Sequence, residues 1–209
     1  MRSADEHRHE PGRDPLWEES WYLDFARADG VGGFTRLALY PNLGVAWWWS
    51  HLVTPGGLVA VRDHEVPIPR SGLEIRTDGL WADLICETPM EHWSVGLEAF
   101  GVRFDDPAEA WGALDCLPEE RRRRPGCLLD TRGDGKVEAA VGLDVDAATG
   151  MPRGAAYAVA GSALDVAVLG AAPVLVTGPE GRSGRLARAL CRFDDGSGGG
   201  YGWAEWLVS

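Results

Sequence analysis

Six polar side chains standing among aromatic residues at strand spacing are the positions from which this chain could run acid–base or hydrogen-bonding chemistry: Asp24, Glu205, His51, His92, Tyr22 and Tyr201. With a two-residue period, Trp47, Trp49 and His51 share one face of a strand, and Tyr22 and Asp24 lie opposite Trp21, Leu23 and Phe25. His92, Ser94 and Glu98 share a face opposite Trp93, Val95 and Leu97, and Tyr201, Trp203 and Glu205 lie together opposite Trp206. A carboxylate or imidazole turned into an apolar cavity has a displaced pKa and can act as general acid or base. A phenol or imidazole there can also polarise a bound carbonyl. On the solvent side of a half-exposed strand, each of these residues would be merely solvated. His64, in Asp63-His64-Glu65, is expected at a loop edge and outside the set.

The surrounding aromatics define a wall for an apolar molecule: Trp21, Trp47, Trp49, Trp93 and Trp203, with Phe34 and Tyr40. The chain has 10 tryptophans, each combining a large apolar area with a single N–H donor, so they mark a core, a ligand wall or an interface.

Other chemistries find no support. The Gly-x-Gly runs at Gly30, Gly32 and Gly33 and at Gly196 to Gly200 lead into strands, whereas dinucleotide binding needs a helix N-terminus there. Arg132-Gly133-Asp134 reads as a turn, and the Asp130–Lys136 loop lacks EF-hand ligand spacing. There is no nucleophile elbow and no His-Glu-x-x-His. Cys86, Cys116, Cys127 and Cys191 show no Cys-x-x-Cys pair, which argues against structural zinc and a disulfide framework. No metal and no cofactor is expected.

The elements that position these residues read as strands. Trp17–Phe25, Phe34–Tyr40, Val45–Val53 and Leu58–Val66 are separated by Asp29-Gly30-Val31-Gly32-Gly33, Pro41-Asn42-Leu43-Gly44 and Pro55-Gly56-Gly57. Leu73–Ile75 leads into Leu80–Glu87, and Glu91–Phe104 follows as one strand. Asp105-Asp106-Pro107 has the capping chemistry of a short helix running to Trp111. Residues 112–136 read as a long connection. Val137–Asp146, Ala155–Val159, Ala163–Leu169, Pro173–Val176, Arg185–Phe193 and Tyr201–Val208 complete the set. Many short strands with glycine turns indicate an all-β, antiparallel fold. Pairing the tryptophan-rich first and last strands would close it into a barrel. The expected organisation is a disordered tail over residues 1–15 and a single barrel domain over residues 16–209.

A net charge of −12 argues against nucleic acid, whose phosphates require a basic footprint. No apolar run is long enough for a membrane helix, so no membrane partner is expected, and the protein is placed in the cytoplasm with reduced thiols. The expected partner is a hydrophobic small molecule, bound by a monomer or homodimer.

Glu18–Phe25, Gly33–Asn42 and Ala46–Trp49, with the closing Gly200-Tyr201-Gly202-Trp203-Ala204-Glu205-Trp206, resemble the carotenoid hydratase (hydroxyneurosporene synthase)/AttH-like superfamily. The resemblance covers about a quarter of the chain and implies a lipocalin-like (calycin) barrel. Longer members of that superfamily carry two barrels and a His-x-Trp-Gly signature between them. Residues 105–155 of this chain contain no histidine, so the resemblance is to a compact, single-barrel member. The superfamily also includes cyclases that fold linear polyenes by [4+2] cycloaddition, a chemistry that needs a shaped apolar cavity and one or two hydrogen-bond donors. The leading expectation is a cofactor-independent cyclase, isomerase or lyase acting on a polyene or polyketide-type intermediate. A carrier for a hydrophobic ligand, a hydratase of isoprenoid substrates and a module with a dry aromatic core are the alternatives.

Overall fold

Glycine turns fold the first half of the chain into a meander. In the computed structural model, which describes residues 3–111, 122–123, 126–132, 141–142, 157–158, 165–177, 183–194, 196 and 198–208, four long strands pair in succession. These are β1 (Glu19–Ala26), β2 (Gly32–Tyr40), β3 (Val45–Thr54) and β4 (Gly57–Pro67). Gly30 and Gly44 take the left-handed positions of the first two turns, with φ of 77° and 73°. At the third turn, Gly57 has a φ of 113°, and a Cβ there would stand 2.3 Å from the Phe104 carbonyl oxygen, so only glycine fits.

A second meander follows: β5 (Ile75–Thr77), β6 (Leu80–Thr88) and β7 (His92–Ala99). β8 (Gly101–Phe104) returns to pair with β4, and a 3-10 turn spans Pro107–Trp111. β9 (Arg122–Arg123) lies beside β8 and β10 (Gly126–Arg132) beside β7. β11 (Val141–Gly142) and β12 (Tyr157–Ala158) form a two-stranded pair. A third meander comprises β13 (Asp165–Thr177), β14 (Ser183–Asp194) and β15 (Gly199–Val208). The first sheet therefore runs β1-β2-β3-β4-β8-β9, the second β10-β7-β6-β5 and the third β13-β14-β15, with every pairing antiparallel.

The all-β, antiparallel expectation is met, but the described residues do not close a barrel. β1 pairs only with β2 and β15 only with β14, so the two tryptophan-rich strands form no ladder with each other. They meet through a side chain, the Trp203 indole N–H donating to the Phe25 carbonyl at 3.0 Å. Other boundaries also move. The single strand expected over Glu91–Phe104 breaks at Phe100, where the chain leaves the second sheet for the first. The chain is closely packed at Gly101, where a Cβ would stand 3.0 Å from Val59 Cγ1. Gly126–Arg132, expected within a long connection, is the edge strand of the second sheet. Ala163–Leu169 and Pro173–Val176 merge into β13, with an irregularity between Val168 and Gly170 and Pro173 on an edge strand, where its missing N–H is tolerated. Val137–Asp146 and Ala155–Val159 lie mostly outside the described residues.

The first sheet buries both faces. Trp21, Leu37, Leu39, Ala46, Trp48 and Val66 pack against Ile75, Leu80, Ala82, Leu84, Val95 and Leu97 of the second sheet. Each fully buried leucine or valine there contributes about 1.5–3 kcal/mol. On the opposite face, Phe34, Val53, Leu58 and Ala60 pack against Ala172, Val174 and Leu190 of the third sheet, with Trp203 alongside. The approach is close: a Cβ on Gly32 would meet Leu190 Cδ1 at 2.7 Å, and one on Gly170 would meet Val53 Cγ1 at 2.3 Å.

Residues 3–14 make specific bonds to the body of the first sheet and its turns. Arg8 donates to the Pro69 carbonyl at 2.8 Å, and His9 pairs with the Glu19 carboxylate at 2.5 Å. The Asn42 side chain donates to the carbonyls of Gly12 and Asp14 at 2.9 and 2.6 Å. A charged, histidine-bearing sequence carries no apolar period, so its docking through side chain-to-backbone bonds was not visible in the pattern.

Candidate functional site

Strand register decides which residues can meet. Directly opposed residues of an antiparallel pair point to the same face. Asp24 opposes Phe34, Phe34 opposes His51 and His51 opposes Ala60. In the neighbouring row, Tyr22 opposes Arg36, Arg36 opposes Trp49 and Trp49 opposes Arg62. In the third sheet, Glu205 opposes Arg188, and Trp203 opposes Leu190. The face of the first sheet turned toward the third sheet therefore carries Tyr22, Asp24, Phe34, Tyr40, Trp47, Trp49 and His51 together.

Arg188 joins the two sheets. Its guanidinium carbon lies 4.4 Å from the Phe34 ring centre, 4.6 Å from that of Tyr22 and 5.5 Å from that of Trp203. Nε is 2.7 Å from Glu205 Oε2, and Nη2 is 3.7 Å from Asp24 Oδ2. The Arg188 side chain is 7% exposed, whereas Asp24 and Glu205 are 38% and 49% exposed, so a buried cation is flanked by carboxylates that reach solvent. Burial lowers the Arg188 pKa and the Glu205 charge opposes that shift. Asp24, Glu205, Tyr22, Phe34 and Trp203, singled out from sequence, thus converge on one arginine.

His51 is the second feature. It is 1% exposed and stacks on Phe34, with ring centres 4.7 Å apart and planes 15° apart. Among the described residues neither ring nitrogen has a hydrogen-bond partner. Burial, reinforced by the nearby Arg62 charge, lowers its pKa to about 3, so the ring is neutral.

A circuit of six side chains continues along the same face. The Tyr40 hydroxyl donates to Glu18 Oε2 at 2.7 Å, and Glu18 also pairs with Arg36. Arg36 lies 5.0 Å over the Trp49 ring, and the Trp49 indole N–H donates to His64 Nε2 at 2.6 Å. His64 stacks on Trp47 at 4.5 Å, and Trp47 packs on Tyr40 at 4.8 Å. Because Nε2 of His64 accepts, its proton in the neutral ring sits on Nδ1. Burial, and then the Glu18 carboxylate, raise the Tyr40 pKa.

The remaining candidates lie elsewhere. Trp21 and Trp93 belong to the core between the first and second sheets, so one wall cannot include them with Trp47 and Trp49. His92 sits at the end of the β6–β7 hairpin. Tyr201 shares its strand face with Trp203 and Glu205 but is 40% exposed. A shallow groove of about 160 Å³ lined by Arg76, Thr77, Asp78, Trp81, Glu98 and Phe100 contains none of the expected site residues.

Sequence reading missed Arg188, Arg36, Glu18 and His64. For Arg188 the signal was present: with period two, Leu186, Arg188 and Leu190 form one row, an arginine in an otherwise apolar line. His64 is not at a loop edge but within β4. Between Ala46↔Val66 and Trp48↔Asp63, two β4 residues stand opposite the single Trp47, and this bulge brings His64 onto its ring. Among the described residues no three His, Cys, Asp or Glu side chains gather as a metal would require.

No curated protein and no solved structure matches this chain. A family described as a domain of unknown function (DUF7064) matches residues 2–116, a span that holds Tyr22, Asp24, Phe34 and His51 but not Arg188, Trp203 or Glu205. On that match, the chain belongs to the DUF7064 family.

Proposed function

We propose that this protein binds a hydrophobic small molecule of polyene or polyketide type along the aromatic face between its first and third sheets, with His51 hydrogen-bonding the ligand's oxygen function. The observation that carries this reading is a buried, neutral imidazole whose two nitrogens have no hydrogen-bond partner among the described residues, inside an aromatic wall. Leaving such a group unmade costs about 1–3 kcal/mol, which a carbonyl or hydroxyl placed against it recovers. Phe34 and His51 are covered in this structure, so a ligand reaches them only when the residues above them move.

A second reading, a cofactor-independent cyclase, isomerase or lyase that includes [4+2] cycloaddition, is favoured by the same residue. A donor that stays neutral polarises a carbonyl without losing its own proton, and the aromatic wall supplies orientation. Hydration fits less well, because a group with a pKa of about 3 is a weak base toward water. In both readings the chain is a compact, opened relative of the carotenoid hydratase/AttH-like lipocalin-type barrels, working in the cytoplasm as a monomer or homodimer.

The test is titration with a linear conjugated polyene aldehyde, followed by product analysis. Saturable quenching of tryptophan fluorescence that His51→Phe weakens at least tenfold supports binding. Product formation faster and more stereoselective than in buffer supports the cyclase reading. Quenching that does not saturate removes both.

A further inference from the structure

Glu6 occupies a place shaped for a carboxylate. One oxygen accepts the Met90 backbone N–H at 2.5 Å and the Cys86 thiol at 3.5 Å. The other accepts the Trp93 indole N–H at 3.4 Å, and the Glu6 carbonyl accepts the Trp21 indole N–H at 3.0 Å. Cys86, Met90 and Trp93 all come from the β6–β7 hairpin, where Cys86 and Trp93 are register partners.

The hairpin turn is specialised for this arrangement. In Thr88-Pro89-Met90-Glu91, the Glu91 N–H bonds to the Thr88 carbonyl at 3.0 Å and Met90 has a φ of 68°. That is the third position of a turn with proline second, where glycine is the ordinary occupant. Among the described residues Met90 is the only non-glycine with positive φ, and its N–H points at the carboxylate. The segment that brings Glu6 lies on the surface: of residues 4–15, all but Glu6 are exposed.

From this geometry we infer that the β6–β7 hairpin, with Trp21, forms a binding site for a short aliphatic carboxylate, filled in cis by Glu6 of the N-terminal segment. The donors are the neutral Met90 amide, Trp93 indole and Cys86 thiol, so a free carboxylate binds them weakly. The tether gives Glu6 an effective concentration of order millimolar, enough to keep the site filled. An external carboxylate with an apolar tail competes with the segment and uncovers Trp21 and Trp93. This inference concerns the opposite face of the first sheet from the proposed ligand wall and stands apart from that reading.

The test uses the full chain carrying Glu6→Ala, titrated with acetate and butanoate, with acetamide and chloride as controls at constant ionic strength. The readouts are the NMR shifts of the Met90 amide and of the Trp21 and Trp93 indole protons. The expected result is saturable shifts at Met90 and Trp93 with midpoints of order 0.1 mM, about a tenth of the effective concentration of the tethered Glu6, and tighter for butanoate than acetate. Wild type should stay unresponsive below about tenfold higher concentration. Equal responses to acetamide or chloride, or no response to either carboxylate, overturn the inference. If Glu6→Ala fails to fold, Glu6→Gln keeps an acceptor in place. There butanoate must displace the amide at a concentration that leaves wild type unmoved, and failure to do so is equally fatal.

Discussion

His51→Phe isolates the consequence of burying a neutral imidazole that has no hydrogen-bond partner among the described residues. The folded-state pKa of His51 is about 3, below its ordinary 6.5. Above 6.5 the ring is neutral in both folded and unfolded chains and contributes no pH dependence. As pH falls below that, the unfolded chain takes up a proton that the folded chain refuses, and stability is lost until pH approaches 3. The slope is about 1.4 kcal/mol per pH unit, so about 2 kcal/mol is lost between roughly pH 6.5 and 5, before most carboxylates titrate. His51→Phe keeps a ring that can stack on Phe34 and removes the titration. The variant is expected to match or exceed wild-type stability near pH 7.5, and to widen its advantage by about 2 kcal/mol by pH 5. Urea unfolding of both proteins across that range gives the difference directly, and subtraction cancels every other titrating group. Parallel stability curves would refute the reasoning, as would a variant that loses more than about 2 kcal/mol at pH 7.5, because either result means the imidazole has a partner in the folded chain.

Further outcomes follow from the same geometry. Arg188→Ala removes the cation from three aromatic rings and should cost about 2–4 kcal/mol in urea unfolding, while Arg188→Met restores most of the loss. Asp24→Asn and Glu205→Gln should each cost under about 1 kcal/mol, because both carboxylates are partly exposed. Gly57→Ala should destabilise by more than about 2 kcal/mol because its Cβ collides with the Phe104 carbonyl, whereas Gly44→Ala, which opens into free space, should cost about 1 kcal/mol. Thermal unfolding of the two glycine variants separates collision from φ strain. In ultraviolet titration, Tyr40 should remain protonated above the ordinary pKa of 10, and Glu18→Gln should lower its titration point, read as the difference from Tyr40→Phe.

Strand existence and strand faces were legible in the sequence because a period of two leaves little choice once a turn glycine sets the register. Tyr22 with Asp24, Trp47 with Trp49 and His51, and Trp203 with Glu205 were placed on shared faces that the ladders reproduce. Which of two buried faces each row would join was not legible. Trp21 and Trp47 carry the same side chain at the same kind of position, yet they enter different cores, because sheet stacking is decided by contacts between distant segments. Among the described residues the first and last strands do not pair, for a related reason. Matching tryptophans at the two ends suggested pairing, but the Trp203 indole reaches the β1 backbone from a separate sheet. Arg188 stands in an otherwise apolar row, but the rings and carboxylates that hold it inside come from distant segments, which strand period alone does not bring together.

The most direct test of the proposed function is the ¹⁵N NMR signal of the His51 ring during titration with a linear polyene aldehyde. Binding at this site predicts a saturable shift of one His51 ring nitrogen, with the midpoint found by tryptophan quenching, and loss of that quenching in His51→Phe. An unmoved His51 signal at saturating ligand, or quenching that survives His51→Phe unchanged, would contradict it.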